Sequence, residues 1–315
     1  MTAPQHATVV YDDTFLLHDY PGHPETAERL RAITARLASD EALRSLPAVA
    51  AVDAEADALL AVHTDRHVLD VERAARSGGG WLDGDTYCTA RSYDVALRAA
   101  GAALRATEMV MQGSSRSAFA LVRPPGHHAT PSSAMGFCLF NNAAVAARAA
   151  QRLHGTAKVA VVDIDVHHGN GTQDVFYADP SVLYCSLHQW PLYPGTGRPG
   201  ETGEGRGEGA NLNVPLPPGT DGAGWMAAFE AHVEPALRAH QPDLIVVSAG
   251  FDGHAADPLA QLRLSTETYA EAASRLAALS GELCGGRTVW VLEGGYDLDA
   301  LAASVGATLL ALEAA

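Results

Sequence analysis

Short apolar runs recur along this chain at intervals that leave room for a helix between them. "ATVVY", "AFALV", "KVAVVDIDV", "VLYCSLH", "DLIVVSAGF" and "TVWVLEGG" each read as a buried strand. The intervening stretches "ETAERLRAITARLA", "SYDVALRAAGAALRATEMVM", "NNAAVAARAAQRL", "GWMAAFEAHVEPALRA" and "ETYAEAASRLAALSGELC" have helical spacing. This alternation predicts an α/β fold of three layers, a mostly parallel central sheet flanked by helices. No internal repeat or linker-like composition interrupts it, so residues 1–315 are expected to form one domain. A chain of 315 residues, 47% of them hydrophobic, suffices for such a core.

Composition narrows the partners. A net charge of −16 argues against an electrostatic grip on nucleic acid or an anionic membrane. No apolar run reaches the ~18 residues of a membrane span, and "MTAPQHATVV" lacks the basic and apolar regions of a signal peptide. Cys88, Cys138, Cys185 and Cys284 are widely separated, which predicts buried reduced thiols and a cytoplasmic protein. Residues 189–222, rich in Gly and Pro, form the longest irregular stretch and are expected to contribute an active-site rim.

The residues just beyond the strands carry the chemistry. After "AFALV" come His127 and His128; after "KVAVV", Asp163, Asp165 and His167; after "DLIVVSAGF", Asp252; after "TVWVLEGG", Tyr296. Ligands of open α/β sheets bind outside the carboxyl ends of the strands, so these groups are expected to share one crevice. If the extended chain continues, Asp163, Asp165 and His167 project to one side. Carboxylates so close repel unless a cation lies between them. Asp165, His167 and Asp252 offer two oxygens and one nitrogen with a fourth position open, as a catalytic zinc requires; strand-end hydrogen bonding is the competing explanation. Beside such a metal, one imidazole of "RPPGHH" serves as base and acid, with Asp163 free to orient it. Tyr296 follows Gly294 and Gly295 and is placed to donate to an oxyanion.

The motifs "RPPGHHA", "GFCLFNNAAVAA", "DIDVHHGNGTQDVFY", "YPGTG", "NVPLPPGTDG", "SAGFDGHAADPL" and "LEGGY" together resemble the zinc-dependent histone deacetylase family, with its arginase–deacetylase fold. Asn170 in "HHGNGTQ" looks like the class II branch and its bacterial deacetylase-like amidohydrolases. The resemblance implies one zinc per chain on Asp165, His167 and Asp252. It implies a catalytic pair of His127, near Asp163, and His128, the general base and acid, with Tyr296 polarising the carbonyl. A structural potassium ion is implied at Asp163, Asp165, His167, Ser186 and Leu187. The implied acyl-lysine channel has Phe137 and Tyr193 as walls and Gly136 as floor, with Gly294, Gly295, Leu259 and Asp85 along it or at its rim.

The expected activity is removal of acetyl (acyl) groups from N-acetyl-lysine side chains or similar N-acetyl amines, releasing acetate. An acetylpolyamine or small-metabolite deacetylase is the alternative, and Leu259 removes one route to polyamine selectivity, since Leu attracts no ammonium. A binuclear manganese hydrolase and a silent acyl-lysine binding module are the rivals; each would need ligands added or lost relative to this sequence. Oligomeric state is left open.

Overall fold

A computed structural model describes residues 5–315; residues 1–4, at the start of the stretch inspected for a signal peptide, lie outside it. Its strands are β1 (Gln5–Tyr11), β2 (Ala48–Ala50), β3 (Gly79–Trp81), β4 (Tyr87–Thr89), β5 (Ser115–Ala120), β6 (Val159–Asp163), β7 (Val182–Gln189), β8 (Asn211–Leu216), β9 (Leu244–Ala249) and β10 (Thr288–Leu292). Eight of them form one sheet in the order β2-β1-β5-β10-β9-β6-β7-β8, every pair parallel. β3 and β4 make a separate antiparallel hairpin. All residues of β6, β9 and β10 are buried, which explains their unbroken apolar runs: each strand is covered on both faces.

The helices Ser92–Met111 and Asn142–His154 pack on each other and on one side of the sheet. Glu28–Ser39, Thr266–Cys284 and Leu298–Glu313 form a second packed group, giving the three layers. Local chemistry sets their ends. Asn141 caps the second helix by accepting from the Ala144 N–H, and Gly155 closes it in the left-handed conformation. All four cysteines are free and buried. Among the described residues no helix is long and apolar enough to cross a membrane.

Three expectations need correction. Residues 189–222 are not irregular throughout: β8 lies within them as an edge strand, the one place where Pro215 costs a sheet little. "GWMAAFEAHVEPALRA" is not one regular helix. A π turn, Phe229–Val233, separates two short helices, because Pro235 supplies no N–H to continue the ladder. Finally, β6 stops at Asp163, so Asp163, Asp165 and His167 do not share an extended strand face. Carboxylates bend the chain there: Asp163 Oδ1 accepts the Asp165 N–H (3.2 Å) and Asp165 Oδ1 the His167 N–H (2.8 Å).

Candidate active site

The loops leaving β5, β10, β9 and β6, four consecutive central strands, converge at one end of the sheet. There they enclose a cavity of about 200 Å³. His127, His128, His167, Gly294, Tyr296, Gly136, Phe137, Tyr193, Leu259 and Asp85 line it, with Pro125 and Leu192. The volume is below the roughly 300–1,000 Å³ of drug-sized ligand sites and suits a slender group. Gly295, expected along the channel, does not line it: a Cβ there would meet Leu301 at 2.8 Å and Phe251 at 3.1 Å. Of residues 189–222 only Leu192 and Tyr193 reach the cavity; the loop beyond is pinned by Gly197 N to Glu201 (3.0 Å) and by the Gly197 carbonyl to His188 Nε2 (3.0 Å).

Behind the cavity, Asp165, His167 and Asp252 present one oxygen, nitrogen and oxygen within 4.8 Å of one another. His167 Nδ1 lies 3.1 Å from Asp165 Oδ1 and 3.2 Å from Asp252 Oδ2. Both carboxylates are fully buried, and apart from these imidazoles no cationic side chain pairs with them among the described residues. Burial opposes a charge on His167, yet the two carboxylates push its pKa up to about 10. One imidazole against two buried acids leaves negative charge that a divalent cation would balance. Burial and Asp165 together push Asp252 up to about 7. Two oxygens, one nitrogen and an open side facing the cavity fit a hydrolytic metal site. The backbone must pass close to hold it: a Cβ on Gly294 would lie 2.0 Å from Asp252 Oδ2.

The tandem histidines are held separately. His127 Nδ1 meets Asp163 Oδ2 at 3.0 Å, and the Tyr184 hydroxyl donates to the same oxygen at 3.0 Å. His128 Nδ1 meets Asn170 Oδ1 at 2.8 Å. Burial lowers both imidazole pKa values, but Asp165 and Asp163 reverse the sign for His127 and raise it well above the ordinary value. His128, beside His127 and His167, stays well below it. The tandem segment itself rests on Glu293, whose buried Oε2 accepts the Gly126 N–H (2.6 Å) and the His127 N–H (3.1 Å).

Tyr296 stands opposite, edge-on to Phe137 with ring centroids 5.8 Å apart and under the Arg29 guanidinium at 5.0 Å. Arg29 Nε donates to the Gly295 carbonyl at 2.6 Å. Tyr193 stands edge-on to His128 at 5.1 Å. Phe137 adopts a left-handed φ of 70°, secured by its N–H to Thr86 Oγ1 (3.0 Å). At the mouth, burial and the neighbouring Asp83 raise the Asp85 carboxyl. Ser186 and Leu187 are buried on β7, outside the cavity, with Ser186 the register partner of Asp163.

Sequence reasoning assigns no site role to Asn170, Glu293, Arg29 or Asp257. Two carry a signal: an acid ending the apolar run "TVWVL", and the Asx-Pro pair of "DPL". Arg29 and Asn170 sit on helices whose spacing says nothing of what they reach.

Residues 23–312 match the histone deacetylase domain family. The chain is 42% identical to the histone deacetylase-like amidohydrolase of Pseudomonas aeruginosa, over 87% of this chain and 71% of that one. It is 41% identical to a probable deacetylase of Archaeoglobus fulgidus (92% and 81% covered) and 42% identical to the chloroplastic histone deacetylase 10 of Oryza sativa (93% and 70%). The crystal structure of the HDA15 HD domain superposes with a TM-score of 0.94 at 40% identity, covering 100% of this chain and 89% of that one. A family match over most of the chain, a shared fold and a buried site of acids, imidazoles and a phenol agree: this chain belongs to the histone deacetylase family and is a deacetylase, a hydrolase of amide bonds.

Proposed function

We propose that this protein removes acetyl groups from N-acetyl-lysine side chains or similar N-acetyl amines and releases acetate, using one zinc ion on Asp165, His167 and Asp252. The observation that carries the reading is the meeting of that donor triad with His128 and Tyr296 around one slender cavity. No second cluster of three or more such donors occurs among the described residues, which favours one ion over a binuclear centre.

When bound, zinc supplies Lewis acidity toward the acyl carbonyl and makes water a stronger acid. The chain supplies the rest. With Nδ1 committed to the Asn170 oxygen, His128 keeps Nε2 as the base that takes the proton of the attacking water. His127, hydrogen-bonded to Asp163, is the cationic neighbour that stabilises developing negative charge. The Tyr296 phenol donates to the oxyanion of the tetrahedral intermediate. Its collapse breaks the C–N bond, and His128 returns its proton to the departing amine. Phe137 and Tyr193 flank the aliphatic stem, with Gly136 against the His128 ring, where any Cβ would lie 2.4 Å from it.

A potassium ion near Asp163, Asp165, His167, Ser186 and Leu187 is part of this reading; the β6–β7 register brings Ser186 level with Asp163. So is a one-domain enzyme acting in the cytoplasm, in keeping with four buried free thiols. An acetylated diamine or polyamine is a second reading of the substrate, favoured by Asp85, an acid at the mouth with no Lys or Arg paired to it among the described residues.

The test is kcat/KM of the zinc-loaded protein for an acetyl-lysine peptide against N-acetylputrescine. Preference for the peptide supports a lysine deacetylase, preference for the diamine the second reading, and cleavage of neither overturns both.

A further inference from the structure

Two walls of the cavity hang from one carboxylate that does not itself line it. Asp257 is only 7% exposed. Its Oδ2 accepts the backbone N–H of Tyr296 at 2.7 Å, and its Oδ1 accepts that of Leu259 at 3.0 Å. Tyr296 belongs to the loop after β10, Leu259 to the loop after β9, and both line the cavity.

We propose that Asp257 is a positioning residue that fixes the Tyr296 phenol and the Leu259 wall as one unit, setting turnover and acyl-chain discrimination together. The proposal rests on the deacetylase reading above. Tyr296 follows two glycines, and Gly295 has a φ of 121°, so the local backbone does little to hold the ring. Its neighbours are tied through carbonyls: Arg29 donates to the Gly295 oxygen at 2.6 Å, and the Phe251 N–H to the Gly294 oxygen at 3.0 Å. The Tyr296 N–H is secured by Asp257. A carboxylate is a stronger acceptor than an amide, and a misplacement of about 1 Å at a reacting group costs about 10²-fold in rate. On the other arm, Asp257, Pro258 and Leu259 form an Asx turn whose central proline narrows the conformations open to it. Asn in place of Asp257 keeps the shape but offers one accepting oxygen to two N–H groups and sets an NH₂ against the other.

The experiment compares wild type, Asp257→Asn, Tyr296→Phe and the double variant, zinc-loaded, on acetyl- and butyryl-lysine peptides. Asp257→Asn is expected to lower kcat about 10-fold or more with KM and zinc content near wild type. It is also expected to raise the butyryl-to-acetyl ratio several-fold, whereas partial unfolding would lower both substrates alike. In the Tyr296→Phe background the same change should cost less than about 2-fold in kcat, because the phenol it positions is already gone. Additive losses, or an unchanged acyl ratio, overturn the proposal. A second measurement needs no activity: in metal-free protein, amide exchange at Tyr296 and Leu259 should quicken in Asp257→Asn and Asp257→Ala, with Val161 and Val247 unaffected. Unchanged exchange at Tyr296 and Leu259 overturns the clamp. A wild type that cleaves neither peptide overturns the functional reading and leaves this second test decisive for Asp257.

Discussion

Asn170 Oδ1 lies 2.8 Å from His128 Nδ1, so a neutral amide orients the second of the tandem histidines. A carboxylate, Asp163, orients the first at 3.0 Å. Burial and the neighbouring His127 and His167 push His128 toward the neutral form against the Asn170 bond, whereas Asp165 and Asp163 overcome burial and push His127 toward the charged one. A site that must both stabilise an anion and accept a proton needs that division.

Replacing Asn170 by Asp should undo it. A carboxylate against Nδ1 favours the imidazolium of His128, so a base active only when neutral becomes available at higher pH. The acid limb of kcat/KM against pH is expected to move up by about 1 unit. An unmoved limb would show that His128 is not the titrating base.

Tyr296→Phe removes the phenol and keeps the ring. By analogy with deleting an oxyanion donor, kcat should fall by about 10²-fold or more while zinc content is unchanged. Turnover near that of wild type would remove the hydroxyl from the mechanism.

Chelation followed by dialysis should abolish hydrolysis, and zinc at one equivalent per chain should restore it. Asp252→Ala leaves His167 a single acidic partner and should lower zinc affinity and activity together. Elemental analysis giving two ions per chain in the wild type would contradict a mononuclear centre.

Acid stability should depend on Glu25. It is fully buried and accepts from Arg123 (2.7 Å), Arg29 (3.1 Å) and the Tyr87 hydroxyl (3.2 Å). Burial works against its charge, but the guanidinium groups outweigh it and hold the carboxyl at about 2, against an ordinary 4.5. Its contribution is therefore complete above pH 4.5 and drains away as pH falls toward 2. Glu25→Gln leaves two arginines short of a counter-charge and should cost about 3–5 kcal/mol at neutral pH. The gap in Tm between wild type and variant should then narrow between pH 5 and pH 2.5; a constant gap would refute the assignment.

The strands are most legible in the sequence where both faces are covered, since β6, β9 and β10 then appear as unbroken apolar runs. The Ser92–Met111 helix is equally plain from its spacing. The helix Leu298–Glu313 is not, because it is apolar on most sides and shows little contrast between faces. β8 is hidden by the prolines and glycines around it. At the site, the groups that end strands are readable as chemistry, and the cavity gathers most of them. Those that support them show less: Asp257 and Glu293 stand out as an Asx-Pro pair and a strand-ending acid, but the backbone N–H groups they hold lie 39 and 166 residues away and no pattern announces those partners.

The position of β10 makes it the keystone of the sheet. It is the last strand along the chain, yet it hydrogen-bonds to β5 on one side and β9 on the other. On either side of it stand β2-β1-β5 and β9-β6-β7-β8, with His127 and His128 carried by one group and Asp165, His167 and Asp252 by the other. Residues 288–292 join the two groups, and Tyr296 follows them in the loop at the strand's end. A fragment cut before β10 would lack Tyr296 and the sheet joining the two groups, leaving the bonds of His127 to Asp163 and His128 to Asn170 to hold the halves in line.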